Sequence, residues 1–88
     1  MYIKQEKNIA WRVIEGKAYL VNTKTSYLHS LDEVGTSAWR HISGGTEFEK
    51  LLDKLAGEFE VKRTILHKDI TEFIEELETK GLIEVCGG

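Results

Sequence analysis

The side chains best suited to chemistry in this chain are three histidines, one cysteine and many carboxylates. His29, His41 and His67 lie far apart, and no two have the four-residue spacing that places two metal ligands on one helix face. Cys86 has no histidine or second cysteine beside it in a ligand pattern, and it cannot form an internal disulfide. The sequence therefore predicts neither a metal site nor a bound cofactor.

No catalytic set stands out either. Four glutamates of the predicted third helix are expected to form a solvated face: Glu72, Glu75, Glu76 and Glu78. Gly44-Gly45 lies between two predicted helices and lacks the pattern of a phosphate-binding loop. No serine lies in a G-x-S-x-G context. We therefore expect that the chain has no catalytic residues and is not an enzyme.

The composition limits which classes of protein remain possible. The chain has 88 residues, enough for one domain, with 41% hydrophobic and 31% charged residues, as in ordinary globular proteins. It contains neither an apolar run of the ~20 residues that a membrane span needs nor a signal peptide. The net charge of −3 gives no positive field to attract nucleic acid. A single cysteine suits a reducing cytoplasm, which is the location we expect.

The first third of the chain predicts a flexible tail and then a small sheet. Residues 1–8 are polar and without pattern. Residues 9–14 and 17–21 are rich in strand formers and are separated by a pair ending in glycine, which is typical of a hairpin. After a turn over residues 22–25, residues 26–30 form a third, shorter strand. Consecutive tight connections predict an antiparallel meander with this third strand at an edge.

The apolar period then changes to that of helices. Ser30-Leu31-Asp32-Glu33 and Thr46-Glu47-Phe48-Glu49 match capping boxes, with Asp32 as a competing cap for the first helix. Gly44-Gly45, Gly57 and Gly81 are expected to end three helices, the third of which covers residues 64–80. Three strands followed by three helices indicate an α+β, winged-helix-like domain over residues 9–86.

The third strand is the most informative element. Ser26–Ser30 contains neither proline nor lysine, the usual protection of an edge, so it can accept an added strand from a peptide or pair with a second copy in a homodimer without peptide. Each new backbone hydrogen bond contributes about 0.5–1.5 kcal/mol, whereas ordering a peptide costs about 1–2 kcal/mol per residue. Side chains must therefore enter a groove, and the third helix is its natural second wall.

One flank of that helix is expected to line the groove, but the sequence does not decide which. Ile65, Asp69, Glu76 and Lys80 lie on one side of the apolar stripe; His67, Thr71 and Glu78 lie on the other. The candidate peptide-binding residues are Ser26, Tyr27, Leu28, His29, Ser30, Ile65, Asp69, Phe73 and Glu76.

Two other functions fit the same layout. Three helices with a small sheet are also typical of DNA-binding winged helices, but helix 64–80 carries five acidic residues against Lys68 and Lys80 and would repel a duplex. An acidic winged helix that regulates transcription through protein contacts remains an alternative. So does a purely structural adaptor that binds a folded enzyme and no free peptide.

The chain also resembles the PqqD family, small proteins of pyrroloquinoline quinone biosynthesis and related peptide-maturation pathways whose domain is called the RiPP recognition element. The resemblance spans roughly residues 9–85. Its residues are Trp11-Arg12, Gly16, Tyr19-Leu20-Val21-Asn22, Tyr27, Leu31-Asp32, Gly35, Trp39, Gly44-Gly45, Phe59, Asp69, Phe73-Ile74, Leu77 and Gly81-Leu82. Asp32 departs from the asparagine common in the family, although both residues cap helices.

The resemblance implies a winged-helix-like domain that binds the leader segment of a ribosomally synthesised precursor peptide. The leader would add as a strand beside the third strand and pack against the third helix. The domain would then present it to a modifying enzyme, such as a radical S-adenosylmethionine maturase or a leader peptidase. From the sequence alone, Asp69 would cap a helix or pair with Lys68 or Arg63. The resemblance implies instead that Asp69 lies on the groove flank and binds a basic residue or a backbone N–H of the leader.

Overall fold

The computed structural model describes residues 1–87. Its elements are β1 (Tyr2–Gln5), β2 (Ile9–Ile14), β3 (Lys17–Asn22), β4 (Leu28–Ser30), α1 (Glu33–Ile42), β5 (Thr46–Glu47), α2 (Phe48–Glu58), α3 (Arg63–Thr79) and β6 (Ile83–Cys86). The strands form two three-stranded antiparallel sheets, in the orders β2-β3-β4 and β5-β1-β6. The predicted α+β class, the meander and the three helices are confirmed. Over the described residues, no helix combines the length and apolarity required to cross a membrane.

The β2–β3 hairpin follows from its two turn residues. Glu15 and Gly16 both have positive φ, 52° and 80°, which is the backbone of a type I′ turn. The turn sets the register of the hairpin, from Ile14 opposite Lys17 to Ile9 opposite Asn22. This places Ala18 and Leu20 of β3 in the core, where both are fully buried.

The N-terminal residues differ from the flexible tail that the sequence predicts for residues 1–8. Tyr2–Gln5 is the central strand of the second sheet, between β5 and β6. Ile3 is fully buried in the core. The alternation over these four residues is too short to identify a strand, and both partner strands lie more than 40 residues further along the chain. The second sheet, β5-β1-β6, is therefore an element that the sequence did not predict.

Neither of the two predicted capping boxes forms. At α1 the competing cap forms, because Asp32 Oδ1 accepts a hydrogen bond of 2.7 Å from the Gly35 amide. The capping box at Thr46 does not form, because Thr46 is paired with Ile3 in β5 and α2 begins at Phe48. Long-range strand pairing therefore overrides a local helix signal at this position.

Of the glycines that the sequence predicts as helix ends, one lies inside a helix and another does end one. Gly57 lies inside α2, which ends at Glu58, so the predicted stop at Gly57 is wrong. Gly81 ends α3 as predicted, with φ +73° and an amide that donates to Glu78 O at 3.0 Å. The Leu82 amide donates to Leu77 O at 2.9 Å, which completes a Schellman motif. The chain is thereby turned back into β6.

The core lies between the two sheets and the three helices. Trp39 of α1 is fully buried, and Trp11 of β2 packs edge-on against it with ring centroids 6.1 Å apart. Thr36, also on α1 and buried, accepts a hydrogen bond of 2.8 Å from the Ala18 amide. These contacts fix α1 against the sheet that carries β4.

Two glycine substitutions should change stability in opposite directions. Gly45 has φ +93°, and a Cβ there would overlap the Tyr2 ring, so Gly45→Ala should lower the free energy of unfolding by about 2 kcal/mol. Gly57 lies in α2 with nothing near the Cβ position, so Gly57→Ala should raise it by about 0.5 kcal/mol. Urea unfolding of both variants measures the difference, and equal changes would contradict it.

Glu58 should make stability depend on pH. Hydrogen bonds from Ser37 and then His41 hold the pKa of Glu58 below its ordinary value of 4.5. A carboxylate with a lowered folded-state pKa stabilises the protein above the unfolded value, and this contribution is lost as the pH falls through the folded one.

Ser37→Ala should therefore lower the urea midpoint near neutral pH and have a smaller effect in acid, below pH 4.5. The contribution is modest because Glu58 is partly exposed to solvent. Urea titrations of the wild type and Ser37→Ala across this range measure it. A loss that is the same at every pH would contradict the assignment.

Candidate functional site

β4 presents an open edge. It pairs with β3 on one side, and no strand of the described residues pairs with its other side. Asn22 N donates to Tyr27 O at 3.1 Å, and Leu31 N donates to Ala18 O at 2.9 Å. Since the direction of backbone groups alternates along an antiparallel strand, the N–H and C=O groups of Leu28 and Ser30 point away from β3. An extended segment beside β4 would meet these groups.

A groove lies between β4 and α3. It consists of two adjoining cavities of about 360 and 320 Å³, both lined by Asp32, Phe73 and Glu76. The smaller cavity adjoins His29 and Ser30 of β4. The larger lies beyond the end of β4, between α1 and α3, and six apolar side chains line it: Val34, Phe59, Val61, Leu66, Ile70 and Phe73. The groove therefore continues from a hydrogen-bonding edge to an apolar pocket.

The helix flank left open by the sequence can be assigned from the lining residues. Asp69, Glu72 and Glu76 of α3 line the larger cavity. On the opposite flank, His67 packs edge-on against Phe48 of α2, with centroids 5.5 Å apart. The flank with Asp69 and Glu76 faces the groove. Glu72 lies there as well, which corrects the expectation that it belongs only to a solvated face.

The predicted site residues divide into two groups. Five of the nine line the groove: His29, Ser30, Asp69, Phe73 and Glu76. Ser26 lies in the turn before β4 with φ +63°, so the strand begins two residues later than predicted. Tyr27 and Leu28 are 69% and 65% exposed, and Ile65 is 50% exposed; none of the three lines either cavity.

Several groove residues were not among the sequence candidates. Val34, Gly35, Phe59 and Val61 come from α1 and from the connection between α2 and α3. A Cβ at Gly35 would lie 3.2 Å from the Phe73 ring, so the glycine allows α1 to approach α3 closely. Phe59 and Val61 lie in a connection, outside any amphipathic stripe, and apolar residues at such positions were the sequence signal for this part of the groove.

The charges along the groove are unequal. Four carboxylates line it, from Asp32, Asp69, Glu72 and Glu76, whereas Lys80 is the only lysine or arginine among its lining residues. Lys80 Nζ donates to Glu76 Oε1 at 2.8 Å, and this hydrogen bond lowers the pKa of Glu76. These four carboxylates form the rim of the groove and give it net negative charge. The floor of the groove is apolar and consists of Leu66, Ile70 and Phe73.

A cluster of Ser37, His41 and Glu58 lies outside this groove and joins α1 to α2. Glu58 accepts hydrogen bonds from both Ser37, at 2.6 Å, and His41. In a nucleophilic triad the histidine would bridge the serine and the acid. Here the acid lies between the other two, which is the geometry of a helix–helix contact. Residues 1–87 contain no group of three or more side chains arranged to hold a metal ion.

Comparisons with known proteins point to one family and one fold. A family model described as coenzyme PQQ synthesis protein D (PqqD) matches residues 17–83. The structure of TbiB1 in complex with the TbiA(beta) leader peptide superimposes with a TM-score of 0.88 and 25% identity, covering 97% of this chain and 99% of that one. The structure of lasso peptide synthetase B1 complexed with the leader peptide superimposes with a TM-score of 0.83 and 17% identity, covering 94% of this chain and 98% of that one. At this identity the similarity shows the fold alone. A comparison with curated proteins gave no significant match.

Proposed function

Since the chain belongs to the PqqD family, we propose that it binds the leader segment of a ribosomally synthesised precursor peptide and presents that peptide to a modifying enzyme. The observation that carries the proposal is the groove between the open edge of β4 and α3. The similarity to TbiB1, which was solved with a leader peptide, supports it.

The leader adds as a strand to the outer edge of β4. Leu28 and Ser30 supply the backbone groups, because both residues direct their N–H and C=O groups away from β3. Strand addition at only three residues forms few bonds, each contributing about 0.5–1.5 kcal/mol. Backbone pairing therefore holds the peptide's direction and register but supplies little of the affinity.

Most of the affinity comes from side chains that enter the groove. One face of an extended peptide points its alternate residues toward α3, where Phe73 and Ile70 line the larger cavity. Burying one apolar side chain of the size of leucine or valine contributes about 1.5–3 kcal/mol. That is enough to offset the cost of ordering one or two peptide residues.

The role is one of binding and presentation, without catalysis by this chain. The modifying enzyme, a radical S-adenosylmethionine maturase or a leader peptidase, acts on the part of the precursor beyond the bound leader. Family membership and the similarity to leader-bound TbiB1 support the binding part of this role.

A titration followed by NMR tests the proposal. The probe is a synthetic peptide with the leader sequence of a precursor encoded beside this chain, and a scrambled peptide of the same composition is the control. We expect saturable shifts of the amides of Leu28–Ser30 and of the groove face of α3. Shifts confined to other regions would exclude the proposed site.

Two rival functions predict other outcomes. A DNA-binding winged helix would give tight, salt-sensitive binding of a duplex in a mobility-shift assay at low salt. An adaptor that binds a folded enzyme alone would capture that enzyme equally well with and without the precursor. We expect no duplex shift, and capture of the enzyme that increases when the precursor is present.

A further inference from the structure

We infer that the segment bound in the groove carries a lysine or arginine two residues from an apolar anchor, so that the groove selects cationic amphipathic peptides. This inference rests on the proposed function and adds the chemistry of the ligand to it. It depends on three features of the groove: the apolar floor, the unbalanced charge at its rim and the spacing of its carboxylates.

The floor selects an apolar side chain. Leu66 and Ile70 are each 2% exposed and form a fixed surface, with Phe73 partly buried beside them. The cavity of about 360 Å³ is large enough for a leucine or an aromatic side chain. A segment without an apolar residue would leave this surface in contact with water and would gain little from the groove.

The rim selects positive charge. Of its four carboxylates, Asp32 is engaged with the Gly35 amide and Glu76 is paired with Lys80. Asp69 and Glu72 have no hydrogen-bond or ion-pair partner among the side chains of residues 1–87. Both lie beside apolar surface, where an approaching anion would be repelled and a cation attracted.

The spacing of the two free carboxylates suits a single cation. Asp69 and Glu72 are three residues apart on α3, which places their Cβ atoms about 5–6 Å apart on one face. One guanidinium or ammonium group can contact both, and it also relieves the repulsion between them. Along an extended peptide, successive residues on one face are two positions apart, about 6.6 Å. A basic residue two positions from the anchor therefore lies on the same face of the peptide as the anchor, the face that points toward α3.

A selection from random peptides tests the inference without knowledge of the natural precursor. A displayed library of random peptides of about twelve residues is panned against three proteins: wild type, Asp69→Asn/Glu72→Gln and Glu75→Gln/Glu78→Gln. The third protein removes the same two charges from exposed positions of the same helix that do not line the groove. Circular dichroism checks that all three are folded.

We expect peptides selected on the wild type and on Glu75→Gln/Glu78→Gln to be enriched in lysine or arginine two positions from an apolar residue. The enrichment should disappear on Asp69→Asn/Glu72→Gln. A labelled wild-type-selected peptide should bind that variant about tenfold more weakly, and replacing its basic residue by glutamine should cause a similar loss on the wild type. The two losses should not add. The reversed variant Asp69→Lys/Glu72→Lys should prefer the peptide with glutamate in place of the basic residue.

Two results would overturn the inference, and they are distinguishable. If selected peptides shift the amides of Leu28–Ser30 but show no basic enrichment and bind all three proteins equally, the charge preference is wrong and the proposed function stands. If no peptide is recovered on any of the proteins, the groove does not bind extended peptides, and the proposed function falls with the inference.

Discussion

Ile3→Ala is expected to lower the free energy of unfolding by about 2–5 kcal/mol, the range for removing a large aliphatic side chain from a packed core. Ile3 is fully buried at the centre of β1, which is itself the central strand of its sheet. The cavity would open between β5 and β6, and strands this short have little capacity to close around it. For a domain of this size each kcal/mol corresponds to about 4–8 °C in Tm.

Thermal and urea unfolding followed by circular dichroism measure this effect. Ile65→Ala is the matched control, because it makes the same chemical change at a side chain that is 50% exposed on α3. Its effect should be within about 0.5 kcal/mol. If Ile3→Ala were as mild as Ile65→Ala, residues 2–5 would behave as the flexible tail that the sequence predicts, and β1 would not be part of the stable core.

β1 lies beyond what local sequence patterns can predict. The hairpin at Glu15-Gly16 and the stop at Gly81 could be predicted because a local backbone requirement determines each of them. β1 and β5 could not, because their pairing joins Ile3 to Thr46 and only the closed core makes that pairing favourable. The same pairing explains why the capping box at Thr46 does not form.

The candidate site was predictable to a similar extent. The edge position of β4 and the choice of α3 as second wall follow from chain order and from the helical stripe. The flank of α3 that faces the groove depends on where α1 and the α2–α3 connection pack, which no helical wheel contains. Glu72 was placed with the solvated glutamates for this reason, although it lies at the rim of the larger cavity.

On the proposed addition of a strand to β4, Leu28→Pro should weaken binding of the leader peptide about tenfold while leaving the fold in place. The Leu28 N–H points away from β3, so proline removes no bond of the β3–β4 ladder. It removes instead a donor for the incoming strand, worth about 0.5–1.5 kcal/mol, and its ring occupies the position of the incoming carbonyl. Isothermal titration with the leader peptide measures the loss.

Leu28→Ala is the control that separates backbone from side chain at the same position. It retains the N–H and removes a side chain that is 65% exposed and lines neither cavity, so affinity should change by less than about threefold. His29→Pro provides the opposite case, because its N–H faces β3 and its loss should reduce stability as well as binding. If Leu28→Pro and Leu28→Ala weakened binding equally, the peptide would be held by side-chain contacts alone, and addition of a strand to β4 would be excluded.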